Sequence, residues 1–163
     1  MKTRIFLLVS VSIIVTLNFL IYQKQSALNS GSTVLLRLAP VDPRSLMQGD
    51  YMRLRYGLVE DATTALGAVS EHEASDGKLV ITLDQNRVAR FVRVYRGEAL
   101  APGELLLRYR KRGEVRLGAE SFFFEEGKAS LYEQARYGEL KVTANGDSIL
   151  VGLRNENLEL LGS

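Results

Sequence analysis

Two patterns of hydrophobic and polar positions divide the chain. From Ile5 to Tyr22 the sequence IFLLVSVSIIVTLNFLIY runs eighteen residues without a charge and without a polar face. From Thr33 onward apolar and polar residues alternate with a period of two, and β-branched and aromatic residues accumulate, which is the signature of half-buried strands. The alternation predicts strands over Thr33–Leu38, Tyr51–Tyr56, Lys78–Leu83, Arg87–Tyr95, Glu104–Arg110, Val115–Leu117, Ser121–Phe124, Glu139–Thr143 and Ser148–Leu153. The expected fold is therefore mainly β: a small antiparallel barrel-like or sandwich domain over residues 33–163 with one short helix, preceded by a single N-terminal transmembrane helix.

Local signals add detail. Asn145-Gly146 predicts a two-residue type I′ turn that pairs Val142 with Ile149 and Leu140 with Val151. The helix is expected from about Lys128 to Tyr137, with Gly138 as its left-handed C-terminal cap. Residues Asp61 to Gly77 are polar and irregular and read as a mobile loop.

The apolar stretch 5–22 spans about 27 Å as a helix, close to the ~30 Å of a hydrocarbon core. It is too long for the apolar region of a cleaved signal, and Gln23-Lys24-Gln25-Ser26-Ala27 offers no convincing small-x-small cleavage site, so an uncleaved signal anchor is expected. Lys2 and Arg4 place residues 1–4 in the cytoplasm and the β domain outside, in the periplasm. Ser10, Ser12 and Thr16 can bond back to their own helix, whereas Asn18 seeks a partner amide or a neighbouring helix. Residues 23–32 read as a flexible tether with a reach of about 17 Å.

Composition narrows the function classes. There are 21 Lys and Arg against 19 Asp and Glu, but setting aside Lys2 and Arg4 leaves 19 against 19, so the body is neutral and nucleic acid is not an expected partner. With no cysteine and one histidine in 163 residues, disulfides, thiolate chemistry and zinc ribbons are excluded, and no cofactor or metal is expected. Glu71-His72-Glu73 with Asp76 is a poor metal set, since neighbouring residues on an extended loop point apart.

The segment from Pro40 to Tyr56 carries the most information. Pro43 sets a turn, Asp42 can bond the backbone amides beyond it, Leu46 can plug the core, and Gly49-Asp50 leads tightly into the next strand. In that strand Met52, Leu54 and Tyr56 share the core-facing side, and Tyr51, Arg53 and Arg55 share the other. A faint echo sets Leu54-Arg55-Tyr56 beside Leu107-Arg108-Tyr109.

The string Gly49-Asp50-Tyr51-Met52-Arg53-Leu54-Arg55-Tyr56 resembles the defining motif of the GDYXXLXY family of membrane-anchored bacterial proteins, which have no assigned activity. Pro43-Arg44 and Leu46, the run Gly118 to Gly127, and Glu133 to Leu140 extend the likeness over most of residues 33–153. The resemblance implies a Gram-negative inner membrane and a multi-spanning membrane protein as partner, and it implies no reaction. Ser45-Leu46-Met47-Gln48-Gly49-Asp50 is also weakly similar to the turn motif of type I signal peptidases, but Val41 stands where the nucleophilic serine belongs, and the strand matching that of the lysine base offers arginines. Arginine stays protonated and cannot serve as that base.

No catalytic residue is therefore expected, and an enzyme is not the favoured reading. Ser45 has no credible base, and Glu120, Glu125 and Glu126 beside Arg108, Arg110 and Arg116 read as cross-strand ion pairs rather than catalytic acids. The favoured reading is a membrane-anchored scaffold that touches its partner through the turn Pro43–Asp50, with Asp42 beside it, the Tyr51/Arg53/Arg55 face and Asn18. One alternative is anionic lipid or envelope glycan bound where Arg53, Arg55, Arg108 and Arg110 converge. The other is a hydrolase or degenerate signal-peptidase-like domain. Of Phe122, Phe123 and Phe124, strand geometry requires one ring to face outward.

Overall fold

The computed structural model describes residues 2–39, 47–48, 51–67 and 75–162, with side chains described from Val9 onward except at 23, 24, 26, 27, 29, 30, 47 and 48. The order is α1 (Lys2–Ser30), β1 (Ser32–Arg37), β2 (Met47–Gln48), β3 (Tyr51–Arg53), α2 (Gly57–Leu66), β4 (Ser75–Leu83), β5 (Ala89–Val94), β6 (Glu104–Arg112), β7 (Glu114–Arg116), β8 (Ser121–Phe123), α3 (Ala129–Tyr132), β9 (Tyr137–Val142) and β10 (Ser148–Arg154). The mainly β expectation is met, with antiparallel sheets and, among the described residues, two helices in the domain, α2 and α3, where one short helix was expected.

Three sheets run in the orders β1-β9-β10, β2-β3-β8 and β5-β4-β6-β7. Backbone bonds stitch them together. Leu35 N–H donates to Arg87 O at 2.9 Å, and Ala39 N–H donates to Arg55 O at 2.8 Å. At the tip of the β9–β10 hairpin, Gly146 O accepts from Arg108 N–H at 2.8 Å. Alternate residues of each strand feed one core: Val34 and Leu36 from β1, Leu79 and Ile81 from β4, Leu107 and Tyr109 from β6, and Leu140 and Val142 from β9. A fully buried Leu contributes about 1.5–3 kcal/mol, so this alternation is what binds the sheets.

Several local expectations need correction. The predicted strand Tyr51–Tyr56 is regular only to Arg53, and Tyr56 instead forms a single bridge to Leu38. Residues 57–66, most of which fell in the expected loop, form α2, because Leu58, Ala62 and Leu66 recur every four residues and bury or half-bury one face. Ser75 to Gly77 belong to β4. The predicted helix Lys128–Tyr137 is a single turn, Ala129–Tyr132. Sheet pairing ends it: Arg136 N–H donates to Arg154 O at 2.8 Å, and Leu38 N–H to Arg136 O at 2.8 Å. Gly138 lies inside β9 and caps no helix.

The hairpin register also differs. Val142 faces Ser148 and Leu140 faces Leu150, with a bulge between Leu150 and Gly152. Thr143 N–H donates to Asp147 O at 2.9 Å, Gly146 N–H to Thr143 O at 2.9 Å, and Gly146 has φ +89°. This is a three-residue loop closed by a left-handed glycine, which shifts the pairing by one place from a two-residue turn. The bulge at Val151 then restores the core face for Leu153.

Helix α1 continues without a break through Ser30, so most of the expected flexible tether is helical. Its side chains from Val11 to Tyr22 are exposed, while β9 and β10 are what it touches. Thr16 Oγ1 donates to Ser12 O at 2.8 Å, as the backbone-bonding expectation requires. Among the described residues no helix is long and apolar enough to cross a membrane.

Candidate functional site

The described part of the motif strand is a seam between two sheets. Leu54 N–H donates to Glu120 O at 2.8 Å on the β8 side, and Arg55 O is taken by Ala39 beyond β1. The strand's alternation is as expected: Met52, Leu54 and Tyr56 are buried, Arg53 and Arg55 are exposed, and Tyr51 is half-buried. Asp42, Pro43, Leu46, Gly49 and Asp50, together with Ser45 and Glu71-His72-Glu73, lie outside the described residues.

Among the described residues of the motif, Tyr56 is firmly anchored. Only 2% exposed, it donates its hydroxyl to Ala119 O. Burial, reinforced by the nearby Glu120 carboxylate, pushes its pKa far above the usual phenol range, so it remains a neutral hydrogen-bond donor. Glu120 closes the turn before β8 by accepting from Leu117 N–H and, at 3.0 Å, Gly118 N–H. The motif tyrosine and the Gly118–Glu120 turn thus hold each other.

At the other end of the strand, Tyr51 faces Phe123 in register across β3 and β8, with ring centroids 5.7 Å apart and planes inclined at 36°. Phe123 is 73% exposed. Phe122 and Phe124 turn inward onto Tyr132, at centroid distances of 5.0 and 5.2 Å. One ring of the three therefore faces solvent, and it completes an aromatic pair with the motif.

The four arginines of the expected convergence come from two different parts of the fold. Arg53 lies in β2-β3-β8 and Arg55 just beyond β3, whereas Arg108 and Arg110 lie in β5-β4-β6-β7, and Arg108 is paired with Asp147 at 3.1 Å. The expected ion pairs of the glutamates are also replaced. Glu120 caps its turn, Glu125 holds Lys128 at 2.6 Å, and Arg116 sits 3.8 Å from Glu114. The ammonium of Lys128 keeps the Glu125 carboxyl below the ordinary carboxylate range. Asn18 Nδ2 donates to Ile14 O at 2.9 Å, so part of its amide is satisfied within its own helix.

A family model for the GDYXXLXY protein matches residues 13–153, which takes in the motif strand, β8 and the Tyr56 anchor. The chain belongs to the GDYXXLXY family. No curated protein and no solved structure matches it. The family's defining letters now have physical roles in this member: the Leu54 and Tyr56 positions build the core, and the Tyr51 position carries the exposed aromatic pair.

Sequence reasoning missed a second feature, a cleft of about 680 Å³ between the end of β1, the first turn of α2, the turn before β5 and the C-terminal segment. Two tight turns wall it. Asp84 Oδ1 accepts from Asn86 N–H at 2.8 Å and Val88 N–H at 3.0 Å, and Asn155 Oδ1 accepts from Asn157 and Glu159 N–H, both at 3.0 Å. Among the described residues, the two non-glycine residues with left-handed backbone are Arg87, φ +62°, and Leu158, φ +64°. Leu158 lines the cleft, and Arg87 sits between two residues that do. The Asp, Asn and Gln residues of Asp84-Gln85-Asn86 and Asn155-Glu156-Asn157 are a turn signal that the sequence carries, but the meeting of the two segments has no local signal.

Proposed function

We propose that this protein is a membrane-anchored periplasmic binding or scaffold protein of a Gram-negative inner membrane that associates with a multi-spanning membrane partner. The observation that carries the reading is the exposure of Val9, Val11, Ile13, Ile14, Val15, Leu17, Phe19, Leu20 and Ile21 on every side of α1, while the domain core is filled without them. Each such side chain left in water forfeits about 1.5–3 kcal/mol of burial, which a bilayer or membrane partner supplies. Because α1 remains helical to Ser30, residues 23–30 form a helical stalk between the anchor and the β domain, with one residue, Gly31, between the helix and β1. That raises the local concentration of the domain beside any partner in the same membrane. The Tyr51–Phe123 pair is the contact offered outside the bilayer, aromatic residues being favoured at interface centres.

The test is photo-cross-linking in cells from Tyr51 and Asn18, with alkaline extraction and a C-terminal compartment reporter as companions. A defined membrane protein captured from Tyr51, retention in the membrane and a periplasmic reporter support the reading. Release from the membrane, a cytosolic reporter, or capture of lipid alone overturns it. Arg53 and Arg55, which have no ionic partner among the described residues, favour a second reading in which this face binds anionic lipid or glycan. That reading requires salt-sensitive retention on anionic liposomes.

A further inference from the structure

The cleft between the turn before β5, α2 and the C-terminal segment is lined by none of Tyr51, Arg53 and Arg55, and most of its polar side chains are unspent. Arg37, Asp61, Asn86, Tyr137 and Glu156 all line it, and among the described residues none of these side chains makes a hydrogen bond or ion pair. Asp84 is committed to its turn and stands 4.0 Å from Arg90. Five polar groups from five separate chain segments thus converge with their hydrogen-bonding capacity free. Their walls are set by capped turns and by two residues in left-handed backbone, a strained conformation that clusters where a site is pre-shaped. The volume of about 680 Å³ falls within the range of small-ligand sites.

The mixture of charges decides the ligand class. An anion would meet Arg37 and Arg90 but would be repelled by Asp61, Asp84 and Glu156, and a cation would meet the arginines. A ligand made of hydroxyl groups satisfies both kinds of partner, because each hydroxyl donates to a carboxylate, an amide oxygen or a phenol oxygen and accepts from a guanidinium or an amide nitrogen. Apolar residues of the lining, among them Phe91, Val88 and Leu158, offer surface to the C–H faces of a sugar ring. We infer that the cleft binds a neutral saccharide.

Topology gives the site its orientation. The anchor helix joins β1 at Ser32 and the cleft begins at Arg37, five residue spacings or about 17 Å along the strand. On the proposed anchoring, the cleft therefore lies at the end of β1 opposite the α1 junction, away from the membrane end of the strand and open to a soluble or wall-bound glycan.

The experiment uses the full chain in detergent micelles and a panel of neutral glucose-, galactose- and N-acetylglucosamine-based di- and trisaccharides at millimolar concentration. Binding is read by saturation-transfer NMR and then by titration. At least one neutral saccharide is expected to bind, with affinity that persists at high salt and falls about tenfold or more in Arg37→Ala and in Asp61→Asn. Glu126→Gln, at an exposed position outside both the cleft and the motif face, is expected to leave it unchanged. Thermal unfolding checks that the cleft variants remain folded, as expected for exposed residues without partners. No binding across the panel, binding that survives both cleft variants, or binding confined to acidic saccharides or zwitterionic peptides overturns the inference.

Discussion

Tyr56 lies across the backbone of Gly138. A Cβ placed on that glycine would stand 3.0 Å from Tyr56 Cε1 and 3.3 Å from its hydroxyl oxygen. The ring cannot retreat, because its hydroxyl is held by Ala119 O and its surroundings are closed. Gly77 bears the same relation to Tyr109, whose hydroxyl would be 2.7 Å from an added Cβ. Both tyrosines close a Leu-Arg-Tyr triplet with its Leu buried and its Arg exposed, so the sequence echo corresponds to one packing device used twice.

Gly138→Ala is therefore expected to destabilise the domain by about 1–3 kcal/mol, although alanine is otherwise the better strand residue by roughly 0.5–1 kcal/mol. Tyr56→Phe should cost about 1–3 kcal/mol by leaving Ala119 O without its buried donor. Denaturant midpoints of the two variants and the double variant measure both costs. Because the residues touch, the double variant should deviate from additivity.

Gly146 is constrained twice over, by φ +89° and by a Cβ position 3.2 Å from Arg108 N. Gly146→Ala should cost at least the ~1–2 kcal/mol of left-handed backbone and lower the melting temperature clearly. Asn145→Ala, in an exposed loop position, should stay within about 0.5 kcal/mol. If the two variants melt alike, the tip does not pack on β6 as described.

Arg93 donates to Glu104 from Nη1 and, at 3.0 Å, from Nη2, and its Nε donates to Glu98 at 2.8 Å. The Arg93 hydrogen bonds, and then Ala101 N–H, hold the Glu104 carboxyl below its ordinary value of 4.5. The folded chain thus binds this proton less readily than the unfolded chain. The resulting stabilisation is complete above the ordinary value and is lost as pH falls through the lower folded value. Glu104→Gln should lower stability at neutral pH and flatten its decline below pH 4.5, as read from urea midpoints across a pH series.

Phe123→Ala should leave stability within about 0.5 kcal/mol, since the ring is 73% exposed, while reducing capture of a partner from Tyr51. Phe122→Ala, one position earlier and packed on Tyr132, should cost about 3 kcal/mol. Equal effects on stability would show that β8 is in the opposite register.

Period-two alternation by itself determined most strand positions, the mainly β class and the division of Met52, Leu54 and Tyr56 from Arg53 and Arg55, because side-chain alternation is a local property of extended backbone. The motif letters sufficed to indicate the family. Tertiary structure alone decided the rest. Helix α2 exists because the core needed Leu58 and Ala62, and the Glu60-Asp61 and Thr63-Thr64 pairs between its apolar residues hid that spacing. Helix α3 stops after one turn because Arg136 is claimed by Leu38 on one side and Arg154 on the other. Glu120 left its expected arginine for two backbone amides, and the cleft joins Arg37 to Glu156 across the length of the domain. Such outcomes depend on which distant groups compete for a hydrogen bond or a core position, and that competition has no signature in a local stretch of sequence.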